Sequence, residues 1–181
     1  MRLSPIALAA ALAFALTPSS PAAASGGWAA LHRPLRLEPL AAGASCPVTR
    51  GHRLGRQDLR GLGAGPAYPL LPARFGADDR HGGWLAAKVL WSWPPALLRE
   101  RTLVLVRGRR LDAPGPMRFQ LGPDWGTPLR AELRIDTSEP VGSFSDTPWG
   151  ATVTSFAVRS RGCYGLQLDT ARRARTIVVA A

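Results

Sequence analysis

The chain has 181 residues, 46% of them hydrophobic, and carries 23 Lys and Arg against 12 Asp and Glu, a formal net charge of +11. Without a leader it leaves about 155 residues, one domain's worth, able to bury roughly 70% of its extended surface; that excludes a small scaffold that depends on many disulfides. No later segment approaches the ~18 consecutive apolar residues of a membrane helix, which excludes a helical span in the mature chain.

The first residues read as an address. Met1-Arg2 is a short positive region, and Ile6 to Leu16 is an apolar run too short to cross a bilayer. Pro18 to Pro21 interrupts it, and Ala22 to Ala24 offers the small residues of a cleavage site. A signal peptide over 1–24 is expected, the alternative being an uncleaved anchor. A lipid anchor needs a cysteine just after the apolar run, and the first is Cys46. Residues 25–30 then form a flexible leader, and 31–181 a single domain in a secreted protein.

An oxidising compartment gives the two cysteines a meaning. Cys46 and Cys163 most simply form one bridge, the alternatives being two free thiols or a bridge to another chain. The charge has a blander reading. Lys88 is the only lysine, and the chain is rich in Ala, Gly, Pro and Arg together, the pattern a GC-rich genome imposes. The arginines are spread out, apart from Arg107, Arg109 and Arg110 and the group Arg172, Arg173 and Arg175. Specific nucleic-acid binding is not expected. Attraction to an anionic envelope polymer needs only charge.

His32–Leu40 alternates after Pro34, with Leu35 and Leu37 on one side, and predicts a first edge strand, where proline is tolerated. Thr49–Pro72 has no period and reads as a long loop, a place where function is often carried. Its Gly61, Gly63 and Gly65 are no phosphate cradle, because Pro66 and Pro69 oppose the helix that must follow. Asp78, Asp79 and His81 could offer metal ligands, but two glycines follow and a solvated turn is expected. Trp84–Trp93 is a strand with Trp91 and Trp93 on one face. They could form a platform for a sugar ring, although core packing is the expectation.

Arg101–Arg107 is a strand of apolar residues. Met117–Leu121 and Leu129–Ile135 alternate, the latter as a half-buried antiparallel strand. Asp136–Gly150 is a polar loop. Ala151–Val158, Cys163–Leu168 and Arg175–Ala180 complete the set, the last two as a closing hairpin. Useful helical periods are lacking. Short strands between Gly/Pro turns predict an all-β, antiparallel sandwich of about 7–9 strands.

The closing Gly162-Cys-Tyr-Gly-Leu-Gln-Leu-Asp169 followed by Arg175-Thr-Ile-Val-Val179 resembles the ending of certain uncharacterised secreted bacterial proteins with an immunoglobulin-like sandwich. Cys46-Pro-Val48, Lys88-Val-Leu-Trp91 and Leu105-Val-Arg-Gly-Arg-Arg-Leu-Asp112 resemble segments of the same group. The resemblance implies an immunoglobulin-like β-sandwich, a secretory route and the Cys46–Cys163 bridge. It carries no catalytic residue over. Antibody domains place a tyrosine two residues before the second cysteine, whereas Tyr164 follows Cys163.

Catalytic signatures are lacking. There is no Gly-x-Ser-x-Gly elbow and no paired Cys-x-x-Cys or His-Glu-x-x-His. His32, His52 and His81 all fall in expected loops or edges of the first half. The leading expectation is therefore a non-catalytic binding or structural module without a cofactor or metal, acting on an anionic envelope polymer or an extracellular protein. Its binding surface would be the loops Thr49–Pro72 and Asp136–Gly150, with Trp125 and Trp149 as anchors and Arg107, Arg109 and Arg110 supplying attraction. Two alternatives stand beside it. One is a small extracellular hydrolase pairing His81 with Ser143 or Ser145. The other is a polyanion binder whose arginines converge on one face.

Overall fold

The computed structural model describes residues 27–54, 60–71, 74, 79–122, 127–139, 142–143 and 148–181. The expected signal peptide, Asp78, Trp125 and Ser145 lie outside the described residues.

In chain order the elements begin with one helical turn, α1 (Gly27–Ala30), and the short strands β1 (Gly51–Arg53), β2 (Arg60–Leu62), β3 (Tyr68–Leu70) and β4 (Asp79–His81). Then come β5 (Trp84–Trp93), α2 (Pro95–Glu100), β6 (Leu103–Arg110), β7 (Met117–Leu121) and β8 (Glu132–Asp136). The chain closes with β9 (Gly142–Ser143), β10 (Gly150–Val158), β11 (Cys163–Asp169) and β12 (Ala174–Ala180). Seven of these strands are five residues or longer, and these seven fall on the segments read as strands from the sequence, by alternation or by a short apolar run. The other strands among the described residues have three residues or fewer, too short for a period to show.

The protein is all-β, with two antiparallel sheets facing one another. One sheet runs β3-β5-β10-β7, with β4 on β5 and β9 on β10. The other runs β12-β11-β6-β8. A separate β1–β2 hairpin stands within the segment expected to be a long loop. Its strands, like β3, are too short to announce themselves.

Period-two alternation points one face of each long strand inward. From the first sheet come Val89, Trp91, Trp93, Phe119, Phe156 and Val158; from the second, Val104, Ile135, Tyr164, Leu166, Leu168 and Ile177, all in one apolar core. Trp91 and Trp93 have no exposed surface, so packing is their role. The Trp91 indole N–H donates to Thr154 Oγ1 at 3.1 Å, which satisfies both polar groups inside that core. The Phe156 ring meets Trp91 and Phe119 edge-on, with centroids 6.1 and 5.7 Å away.

Two further expectations about elements are corrected. The first is α2, which follows the Pro94-Pro95 break. A proline at its first turn has no N–H to lose, and Leu97 turns into the core. Six residues are too few for helical periodicity to show. The second is the edge strand over 32–40, which does not form. Residues 32–49 cross the outer face of β11 as an extended strap without a ladder. Pro34 and Pro39 lack backbone donors, and β11 already has both edges occupied by β12 and β6. The strap must therefore lie on the face of the sheet rather than join its edge. Leu37 is buried, whereas Leu35, expected on the same side, is 39% exposed.

The Cys46–Cys163 bridge is present and closes a separation of 117 residues. It does not tie the two sheets together, as the bridge of antibody domains does. Cys163 points away from the inter-sheet core, into a small apolar cluster with Leu37 and Leu111. The bond staples the strap to the outer face of β11. Gly165 permits the close approach, since a Cβ there would come within 3.0 Å of the Leu37 and Leu111 side chains.

Replacing both cysteines by alanine should lower stability by on the order of 4 kcal/mol, the loop-entropy value for so long a closure. Native-state hydrogen exchange should show the loss first at the Arg36 and Leu40 amides of the strap. Equal loss across β5 and β10 would mean instead that the bond holds the sheets together.

Candidate functional site

The three β6 arginines expected to attract a partner are engaged within the molecule. Arg107 Nη2 donates to the Asp169 carboxylate at 2.8 Å and also to the Arg33 carbonyl. Arg109 Nη2 donates to the Leu37 carbonyl. Gln167 Nε2 donates to the Pro34 carbonyl at 3.1 Å and to Asp169, while its Oε1 accepts the Arg36 N–H at 2.7 Å. These side chains supply the strap with the backbone partners that a ladder would have given. Asp169 is fully buried, with Arg107 beside it and Arg33 Nη1 at 3.8 Å. Guanidinium suits this work because its fork of donors can serve a carboxylate and a carbonyl together.

Arg110 points to the other end of β11. It donates to Asp112 at 2.6 Å and to Ser160 Oγ at 2.6 Å. The hydrogen bond from Arg110 holds the Asp112 carboxyl below the usual carboxylate range, and the same bond raises the arginine. Arg110 lies opposite Tyr164 in the register, whereas Arg172 and Arg173 follow the far end of the strand. Seven residues of strand, roughly 20 Å, separate them. The six clustered arginines do not share a face.

The start of the strap has its own anchor. His32 contacts Glu132 at 2.7 Å and the Trp28 carbonyl at 2.8 Å, and Arg134 also reaches Glu132. Burial opposes ionisation of Glu132, but the hydrogen bonds from His32 and Arg134 outweigh it and keep the carboxyl below its ordinary value. Arg134 also stands 5.5 Å from the Trp28 ring centroid.

The loops Thr49–Pro72 and Asp136–Gly150 meet at one end of the sandwich. Trp149, half-buried, packs against Tyr68, ring centroids 6.0 Å apart. Tyr68 in turn meets His52 edge-on at 5.4 Å. Pairing of β3 with β5 and of β10 with β5 creates this group: Tyr68 stands opposite Ser92, and Gly150, just after Trp149, opposite Trp93. Trp149 was singled out from the sequence as a candidate, but Tyr68 and His52 were not, because nothing local in sequence links them.

Beside this group a cleft of about 540 Å³ opens between the start of the strap, the end of α2 and the β11–β12 turn. Leu31, Leu97 and Leu103 line it, and Glu100, Arg101, Arg172 and Arg173 stand at it. Arg172 and Glu100 face each other at 3.6 Å. Arg101 has φ of +49°, and it is the sole non-glycine residue with positive φ among the described residues. The cleft was not foreseen. Arg172 and Arg173 were visible as a cluster, whereas Arg101 carries no signal without the fold.

Asp79 and His81 lie in β4, and Ser143 in β9. Among the described residues no three His, Cys, Asp or Glu side chains gather as a metal site. No described helix is long and apolar enough to cross a membrane. Compared with known proteins, the chain matches no family model, no curated protein and no solved structure.

Asp169→Ala should destabilise the fold by about 3 kcal/mol, because it leaves the Arg107 charge buried without its carboxylate. Thermal or urea unfolding reads the change. The acid limb follows from Glu132 and Asp112. Their folded pKa values lie below the unfolded ones, so ionisation favours the folded state. That contribution is complete above the ordinary carboxylate range, about pH 4, and fades as pH falls through the folded values. Tm should therefore drop on going from pH 7 to pH 3, and the drop should be smaller in a Glu132→Gln, Asp112→Asn variant.

Proposed function

We propose that the protein is a secreted, non-catalytic β-sandwich module that binds a component of the cell envelope or an extracellular protein. The observation that carries this reading is the meeting of two separate loops at the Tyr68–Trp149 contact. Loops on a rigid sandwich are where recognition sits, and aromatic rings give large contact area at little conformational cost. The buried side of the Cys46–Cys163 bridge fits an oxidising compartment, where such bonds persist. The leader-like sequence of residues 1–24 supports the same route.

The arginines of β6 belong to the scaffold in this reading, because their donors hold the strap. Recognition then depends on a shaped aromatic surface more than on net charge. Pull-down on envelope polysaccharides and extracellular proteins at two salt concentrations tests it. Binding should persist at the higher salt, and Trp149→Ala should weaken it by about 2 kcal/mol, roughly 30-fold. Binding that vanishes with salt and ignores Trp149→Ala would sink the reading and favour an electrostatic polyanion binder.

A further inference from the structure

The cleft at the end of the sandwich combines an apolar lining with a cationic rim. Its size falls within the range of small-molecule sites. Its lining is mainly apolar, with Leu31, Leu97 and Leu103 among the side chains. Its rim is cationic. Arg172 and Glu100 offset one another across 3.6 Å. The guanidinium groups of Arg101 and Arg173 make no hydrogen bond or ion pair with any described residue.

The backbone at Arg101 adds an independent observation. It caps α2 with φ +49° and ψ +55°, its N–H donating to the carbonyls of Leu97 and Leu98. A left-handed residue that ends a helix is most often glycine, because a Cβ there is crowded. An arginine at that place is less stable than a glycine would be. Backbone strain of this kind gathers at ligand sites.

We propose that this cleft binds an amphipathic anion. Its apolar portion lies on the leucine lining, and its carboxylate or phosphate group is held by Arg101 and Arg173. An apolar molecule without charge would use the leucine lining alone and gain nothing from the two exposed guanidiniums. A small anion without an apolar body would gain only solvent-screened attraction at the rim. A ligand with both parts uses the whole surface, and charge-assisted hydrogen bonds fix its head. None of His52, Tyr68 and Trp149 lines the cleft. This site and the aromatic surface can therefore fail separately.

Calorimetric titration of the folded, disulfide-intact protein decides the matter. The probes are dodecanoate and dodecyl phosphate below their critical micelle concentrations, with dodecyltrimethylammonium and inorganic phosphate for comparison. Saturable binding of either anion is expected, at least about tenfold tighter than the cationic amphiphile or inorganic phosphate. Arg101→Gly should weaken that binding about tenfold while Tm stays level or rises, since the left-handed backbone suits glycine. Adding Arg173→Ala should bring the loss to about a hundredfold. Trp149→Ala should leave it unchanged. Vesicles of anionic phospholipid identify the source: binding there that Arg101→Gly weakens, without binding of monomeric anions, assigns the site to a lipid headgroup. Cation binding as tight as anion binding, an Arg101→Gly variant that binds like the unaltered protein, or no binding to either monomers or vesicles would overturn the proposal.

Discussion

Asp169 is a carboxylate with no exposed surface, and the outer face of the second sheet is arranged around its charge. Burying a carboxylate is tolerable only with partners that carry hydrogen bonds and opposite charge. Arg107 and Gln167 provide them from the same face. The same two side chains then reach over to the strap backbone, Arg107 to Arg33 and Gln167 to Pro34 and Arg36. One ion pair thus orients the groups that hold a whole segment lacking a ladder. The disulfide at the other end of β11 completes the fastening, and every residue of that strand is buried in consequence.

This division of labour changes the meaning of the positive charge. A net charge of +11 invites a reading as a polyanion surface. Yet Arg107 and Arg109 direct donors at strap carbonyls, and Arg110 pairs with Asp112. Lysine could not replace them, because a single ammonium lacks the planar fork that contacts two acceptors in fixed directions. Arg101, Arg172 and Arg173 stand instead at the cleft.

The alternation of Trp84–Trp93, Met117–Leu121, Ala151–Val158 and Cys163–Leu168 was legible because each strand is long enough to show a period of two and has one face in the core. Where that condition fails, the reading failed too. β1, β2 and β3 hide in a Gly- and Pro-rich stretch because three residues hold no period. Residues 32–40 have the alternation of a strand but not its environment. Proline content and two occupied sheet edges put them on a face instead, which buries Leu37 and leaves Leu35 out. Of the site residues, Trp149 was identifiable as an aromatic in a polar loop, while Tyr68 and His52 joined it only through strand pairing.

By itself the amino-acid order determined the all-β class, the inward faces of the long strands and the identity of the two linked cysteines. These follow from local periodicity, and from there being a single possible intramolecular pair. Which surfaces the linked cysteines join, which arginines are consumed inside the molecule and where an apolar cleft acquires a cationic rim were decided by tertiary structure alone. Those outcomes depend on groups separated by as many as 138 residues meeting at hydrogen-bond distance, as the Arg33 guanidinium and the Ala171 carbonyl do. No local pattern encodes such a meeting, because it exists only after the sheets have paired and the strap has closed over them.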